Sequence, residues 1–187
     1  ALVLVGGTTA GTLLVIDQKK KEKERRELRE SQGLSLPKHV AQDGSWSVGA
    51  EGIGTVNEGA RELKIIFDYA CHFCANFDTL HADEISRLVK DGKITLALHP
   101  CKILDQDWTD IVMNAMGVVL DEQPEMALTF HNAALALFSE IFASRDAGRQ
   151  TVDELADTAK KAGVSQDVVD AFKKACLLYT SDAADEE

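Results

Sequence analysis

Residues 63–100 read LKIIFDYACHFCANFDTLHADEISRLVKDGKITLALHP. The first eight, LKIIFDYA, are β-branched and aromatic and predict a buried strand over 63–70. From Cys71 the pattern changes. Cys74, Phe77, Leu80, Ile85, Leu88 and Val89 recur at the spacing of one helix face, and Gly92 is a stop signal. KITLALHP, 93–100, predicts a second strand ended by Pro100. Strand, helix and strand within about forty residues make a βαβ unit, with parallel strands and a right-handed crossover.

Cys71 and Cys74 open the helix, which leaves three readings: a redox pair, half of a metal site, or two small core residues. Positions i and i+3 of a helix lie on nearly one face, about 5 Å apart at Cα, within disulfide range. A bridge there forms and breaks without moving the backbone. The first turn also presents unsatisfied N–H groups and the positive end of the helix dipole, and both favour a thiolate. In the redox reading Cys71 is the nucleophile, and Cys74, one turn deeper, closes the bridge. In the metal reading His99 and Cys101 add two ligands, giving Cys71, Cys74, His99 and Cys101 around zinc in an interaction module. Zinc needs all four to converge, whereas one pair opens a regular helix and the other flanks a proline. Cys101 alone reads as a small buried hydrophobe or as a partner for a cysteine elsewhere.

The remainder of the 187 residues sets the context. Hydrophobic residues make 45% and charged residues 27%, a globular balance. The formal net charge of -11 excludes nucleic acid as a partner. ALVLVGGTTAGTLLVI, 1–16, is apolar or small throughout and is read as part of a membrane anchor. Residues 17–44 form a charged stalk and linker, with seven Lys/Arg and five Asp/Glu within 17–30. Residues 45–103 hold the strand-rich part, beginning with one irregular strand in SWSVGAEGIGTV and a turn at NEGARE. Residues 104–175 contain four helices and no strand. Pro124 lies at the first turn of the second, a Thr151–Glu154 capping box starts the third, and Ser165 caps the fourth. Trp46 and Trp108 are placed at the domain edges. His39, His81 and His131 are assigned no role. CLLYTSDAADE, within 176–187, resembles the peptide encoded by one frame of a transposase sequencing adapter, so this segment is read as non-native.

IIFDYACHFCANF, with the following DGKITLALHPCKILD, resembles the active-site region of DsbA-like thioredoxin-fold oxidoreductases. Strand, C-x-x-C and amphipathic helix in that order suit the same context. The resemblance spans about 45–175. It implies an α/β thioredoxin-like fold with an inserted helical subdomain, of the membrane-anchored type common in actinobacteria. It also implies a thiol–disulfide oxidoreductase that forms disulfides in reduced, exported proteins through Cys71 and Cys74. The domain would lie outside the cell membrane on a single-pass anchor, without a bound cofactor, and a quinone-linked membrane oxidase would restore the bridge. A reductase on the same fold is the alternative direction.

Two departures accompany the resemblance. His72 stands where the family usually has proline. No proline follows Pro124, so the family's cis-proline loop, last two strands and final helix are not found by residue 175. A chain without them is expected to be inactive. Between the cysteines, His72 either stabilises the Cys71 thiolate or is an idle exposed ring, with Phe73 beside it. Asp68 either exchanges a proton with Cys74, as the resemblance implies, or caps the turn after the strand.

Overall fold

A computed structural model describes residues 36–182, with side chains through 176. The anchor assigned to 1–16, most of the charged stalk, and residues 183–187 lie outside the described residues. The folded unit begins at Pro37 rather than Ser45. Val40 bridges to Trp46, and Asp43 accepts from Lys64 Nζ at 2.6 Å and from Ser45, so the end of the linker lies on the sheet.

Four strands among the described residues form one sheet: β1 (Trp46–Gly49), β2 (Gly52–Ile53), β3 (Arg61–Phe67) and β4 (Ile94–Pro100), in the order β2-β1-β4-β3. The expected single irregular strand is a hairpin. Gly49 pairs with Gly52 across a two-residue turn, and Gly52 at φ 117 takes a conformation that only glycine adopts freely. β1 pairs with β4 antiparallel, Trp46 opposite Leu98 and Val48 opposite Leu96. β3 and β4 run parallel, from Arg61 opposite Ile94 to Phe67 opposite Pro100, as the βαβ pattern predicts.

β4 is central, and Thr95–Leu98 are buried on both faces. β3 is the edge strand among the described residues. It alternates, with Leu63, Ile65 and Phe67 turned inward and Ile66 61% exposed, so it is not the fully buried strand expected. It also stops at Phe67, leaving Asp68, Tyr69 and Ala70 to form the turn into the helix.

The described residues also hold five α-helices: α1 (His72–Lys90), between β3 and β4, then α2 (Asp107–Glu122), α3 (Ala127–Ser144), α4 (Val152–Lys161) and α5 (Gln166–Asp182). Pro124–Met126 form a 3₁₀ turn before α3. α1 buries Ala75 and Val89, with Cys74 and Ile85 packed against the core. Phe77 and Leu80 lie outside this stripe, and Leu80 is 75% exposed, because the inward face runs through 74, 78, 82 and 85. α3 packs on α1, α2 on α5, and α4 against both α3 and α5. By length and composition Pro124–Ser144 is apolar enough to cross a membrane. Here its Phe130, Ala134, Leu135, Phe138 and Ile141 form the core between helices.

Trp46 and Trp108 are 2% and 1% exposed, among the largest core side chains rather than at the edges. Only half of the Thr151 capping box forms. Thr151 Oγ1 accepts from Glu154 N at 3.2 Å, but the Glu154 carboxylate pairs with Arg149 instead of reaching back. α5 runs unbroken through the boundary placed at 175, and Cys176 is buried in the core.

Candidate active site

The end of β3 and the start of α1 set the cysteines. Cys71 is the N-cap of α1, extended at φ −101 and ψ 113, and its carbonyl accepts the first helical bond from Ala75 N at 3.0 Å. Cys71 N donates to Asp68 O at 3.1 Å, closing the turn that delivers the chain from sheet to helix. Cys74 follows one turn on, with Cys71 within hydrogen-bond reach of its sulfur. Both are half-buried and unbridged. Burial raises the Cys74 pKa, the Asp68 backbone amide favours its thiolate, and the neighbouring Cys71 opposes it.

His72 and Phe73 fill the two positions between them. The His72 ring stacks on Phe142 of α3, 4.3 Å between centroids and 2° from parallel, with Phe73 at 3.9 Å on a tilted plane. Phe73 is 73% exposed. The dipeptide therefore presents an aromatic surface held by the helical subdomain.

Asp68 is 1% exposed, and its carboxylate has no lone pair to spare. Oδ1 accepts from Ala70 N at 2.9 Å and from the Thr109 hydroxyl. Oδ2 accepts from Ile103 N at 2.7 Å and Leu104 N at 2.8 Å. Burial opposes ionisation, but the bonds from Thr109, Leu104, Ala70 and Ile103 outweigh it and hold the pKa below the usual carboxylate range. Of the two roles open for Asp68, the geometry is that of the turn cap.

The four proposed zinc ligands do not converge. Among the described residues no group of three or more His, Cys, Asp or Glu side chains is arranged to hold a metal. His99 Nδ1 lies 3.8 Å from Asp43 Oδ2, while Cys101 is tied by its amide to Phe67 O at 2.7 Å and by its thiol to His99 O. Burial raises the Cys101 pKa and the Asp68 charge adds to the rise, so this cysteine is held as a thiol.

Beside Cys74 is a cavity of about 270 Å³, lined by Phe73, Phe77, Asp78, His131, Leu135 and residues of β3 and β4. Asp78 and His131 carry no role in the sequence reading, yet they form a polar cluster in which His131 is buried and Asp78 half-buried. His131 Nδ1 is 3.0 Å from the Tyr69 hydroxyl, and its Nε2 is 3.7 Å from Asp78 Oδ1. Burial pushes Asp78 up to about 6 and His131 down to about 3. Burial and the Asp78 charge together raise Tyr69. Asp78 was legible as the residue four after Cys74. His131 lies 57 residues from Cys74 on another helix, and only the tertiary fold brings it in.

A dithiol at a helix N-terminus, after a parallel β-strand and below a helical subdomain, defines a thioredoxin-like dithiol oxidoreductase. No protein-family model and no curated protein matches the sequence. Among solved structures the chain is 50% identical to MdbA of Actinomyces oris, a thiol-disulfide oxidoreductase, over 75% of this chain and 67% of that one, at a TM-score of 0.70. It also resembles reduced DsbA of Mycobacterium tuberculosis (19% identity, 76% of this chain and 78% of that one, TM-score 0.56). BdbD of Bacillus subtilis is a third (14%, 80% and 74%, TM-score 0.56). These two support the fold. The chain belongs to the DsbA-like thiol–disulfide oxidoreductases.

Proposed function

We propose that Cys71 and Cys74 are the redox pair and that the enzyme forms disulfides in reduced, exported proteins. The observation that carries this reading is Cys71 at the N-cap of α1 with Cys74 one turn deeper beside a mainly apolar cavity. A substrate thiolate attacks the Cys71 sulfur of the bridged pair, and Cys74 leaves. The mixed disulfide is then displaced by a second substrate thiolate, and Cys71 leaves. Two electrons and two protons pass to the enzyme, and the substrate gains one disulfide. His72 and Phe73 present the first sulfur, and Asp68 fixes the turn before it.

The enzyme acts outside the cytoplasm, tethered by the apolar segment 1–16 through the charged stretch 17–44. A quinone-linked membrane oxidase returns the pair to the bridged state. The relationship to MdbA supports this setting. Oxidative refolding of reduced ribonuclease is the test, run beside reduction of insulin. Faster ribonuclease recovery, abolished by Cys71→Ser and by Cys74→Ser, is the expected result for a chain that carries the cis-proline loop. Insulin reduction without any oxidase activity would assign the opposite direction.

A further inference from the structure

Cys74 shares its cavity with a half-buried acid, Asp78. Cys74 and Asp78 are four residues apart on α1, hence on one face a turn apart, and both line the 270 Å³ space. That volume accommodates several waters, with polar partners in Cys74, Asp78 and His131. The Asp78 side chain is 16% exposed. From α3, His131 faces it at 3.7 Å; from the β3–α1 turn, Tyr69 holds the far side of that ring. β3 and β4 contribute only Ile65, Ile66, Phe67, Leu96 and Leu98 to the walls around it, all apolar, so Cys74, His131 and Tyr69 are the titratable groups at hand. With the Tyr69 hydroxyl donating to Nδ1, the ring hydrogen of neutral His131 sits on Nε2, directed at the Asp78 carboxylate.

We propose that Asp78 exchanges a proton with Cys74 across this cavity, with His131 and Tyr69 as positioning residues. This rests on the redox assignment of Cys71 and Cys74. When a substrate thiolate attacks Cys71, the Cys71–Cys74 bond breaks and its electron pair leaves with Cys74 as a thiolate. Protonated Asp78 supplies the proton, giving the Cys74 thiol and the Asp78 carboxylate, and solvent at the mouth of the cavity returns the proton to Asp78. In the opposite direction the carboxylate accepts the Cys74 proton as this sulfur attacks a mixed disulfide on Cys71. Asp68 cannot serve, since four donors saturate its oxygens. Burial places Asp78 near 6, close to the pH at which a proton carrier works best.

The test is the rate at which dithiothreitol reduces the Cys71–Cys74 bridge of the full chain between pH 4.5 and 8.5, followed by tryptophan fluorescence. Wild type is expected to show an inflection near pH 6. Asp78→Asn is expected to lose it and slow by about tenfold or more at pH 6, with Asp78→Glu restoring most of the rate. An inflection retained in Asp78→Asn would overturn the assignment, while absence of any bridge reduction in wild type would overturn the redox reading beneath it. Should Asp78→Asn not fold, carbon-13 titration of Asp78 in the wild-type chain decides. A midpoint that differs between the bridged and reduced states is expected, and identical midpoints would remove Asp78 from the reaction.

Discussion

Thr109, in the first turn of α2, donates its hydroxyl to the carboxylate of Asp68, one residue past the end of β3. Through this contact the helical subdomain reaches the turn that carries the cysteines. The same carboxylate holds the amides of Ile103 and Leu104, so the loop after β4 is pinned to the same point.

Thr109→Val is therefore expected to lower stability by about 1.5–3 kcal/mol, the range for a hydrogen bond to a charged group. Asp68→Ala leaves several buried donors unpaired and is expected to exceed that. The folded pKa of Asp68 is depressed, so its contribution is present above its unfolded value of about 3.9 and is lost as pH falls through the folded one. Urea unfolding from pH 2 to 7 checks both. Equal acid sensitivity in wild type and Asp68→Asn would remove the carboxylate as the cause.

The Asp78–His131 cluster leads to a second pH prediction with opposing signs. Asp78 is raised to about 6, so its contribution is present below about 3.9 and lost as pH rises to about 6. His131 is lowered to about 3, so its contribution is present above about 6.5 and lost as pH falls to about 3. Between pH 4 and 6 the unfolded pair holds one proton on histidine and the folded pair one on aspartate, and the two slopes cancel. Removing one partner exposes the other. Relative to wild type, Asp78→Asn is expected to gain stability with rising pH over this window, by roughly 1.4 kcal/mol per pH unit, and His131→Gln to lose it at a similar rate. Parallel curves for all three proteins would refute the cluster.

Cys71 and Cys74 differ in setting, and single serine variants separate them. Cys74 faces the cavity and has its pKa raised by burial, whereas Cys71 is at the helix mouth. Cys74→Ser is expected to accumulate a stable glutathione adduct on Cys71, since the displacing sulfur is gone. Cys71→Ser is expected to react at least about tenfold more slowly at Cys74. Peptide mapping by mass spectrometry reads the adduct positions, and an adduct on Cys74 of comparable yield would reverse the assigned roles.

The local part of this architecture was legible and the long-range part was not. Period-3.6 and β-branched runs locate β3, β4 and all five helices α1 to α5, because those elements differ in pattern over their own lengths. The C-x-x-C at a helix start carried the site for the same reason. The β1–β2 hairpin was missed because Ala50-Glu51 lacks the usual glycine–asparagine turn chemistry within the loop itself. Sequence alone does not bury Trp46 and Trp108, because burial of a lone tryptophan depends on what folds over it. His131 had no signal at all: its importance lies in meeting Tyr69 and Asp78 across the gap between α3 and α1.

His72 offers a final measurement, because it occupies the position where the family usually has proline. Phe142 stacks on its ring at 4.3 Å, although Phe142 is itself 52% exposed. Exposure limits the area either ring loses to water, so Phe142→Ala alone is expected to destabilise only modestly. The contact is better isolated by a cycle of Phe142→Ala, His72→Ala and the double variant. A stacked aromatic pair adds about 0.5–1.5 kcal/mol beyond its burial, and a coupling energy in that range is expected from urea unfolding. Coupling near zero would mean that the helical subdomain does not hold the residue beside Cys71.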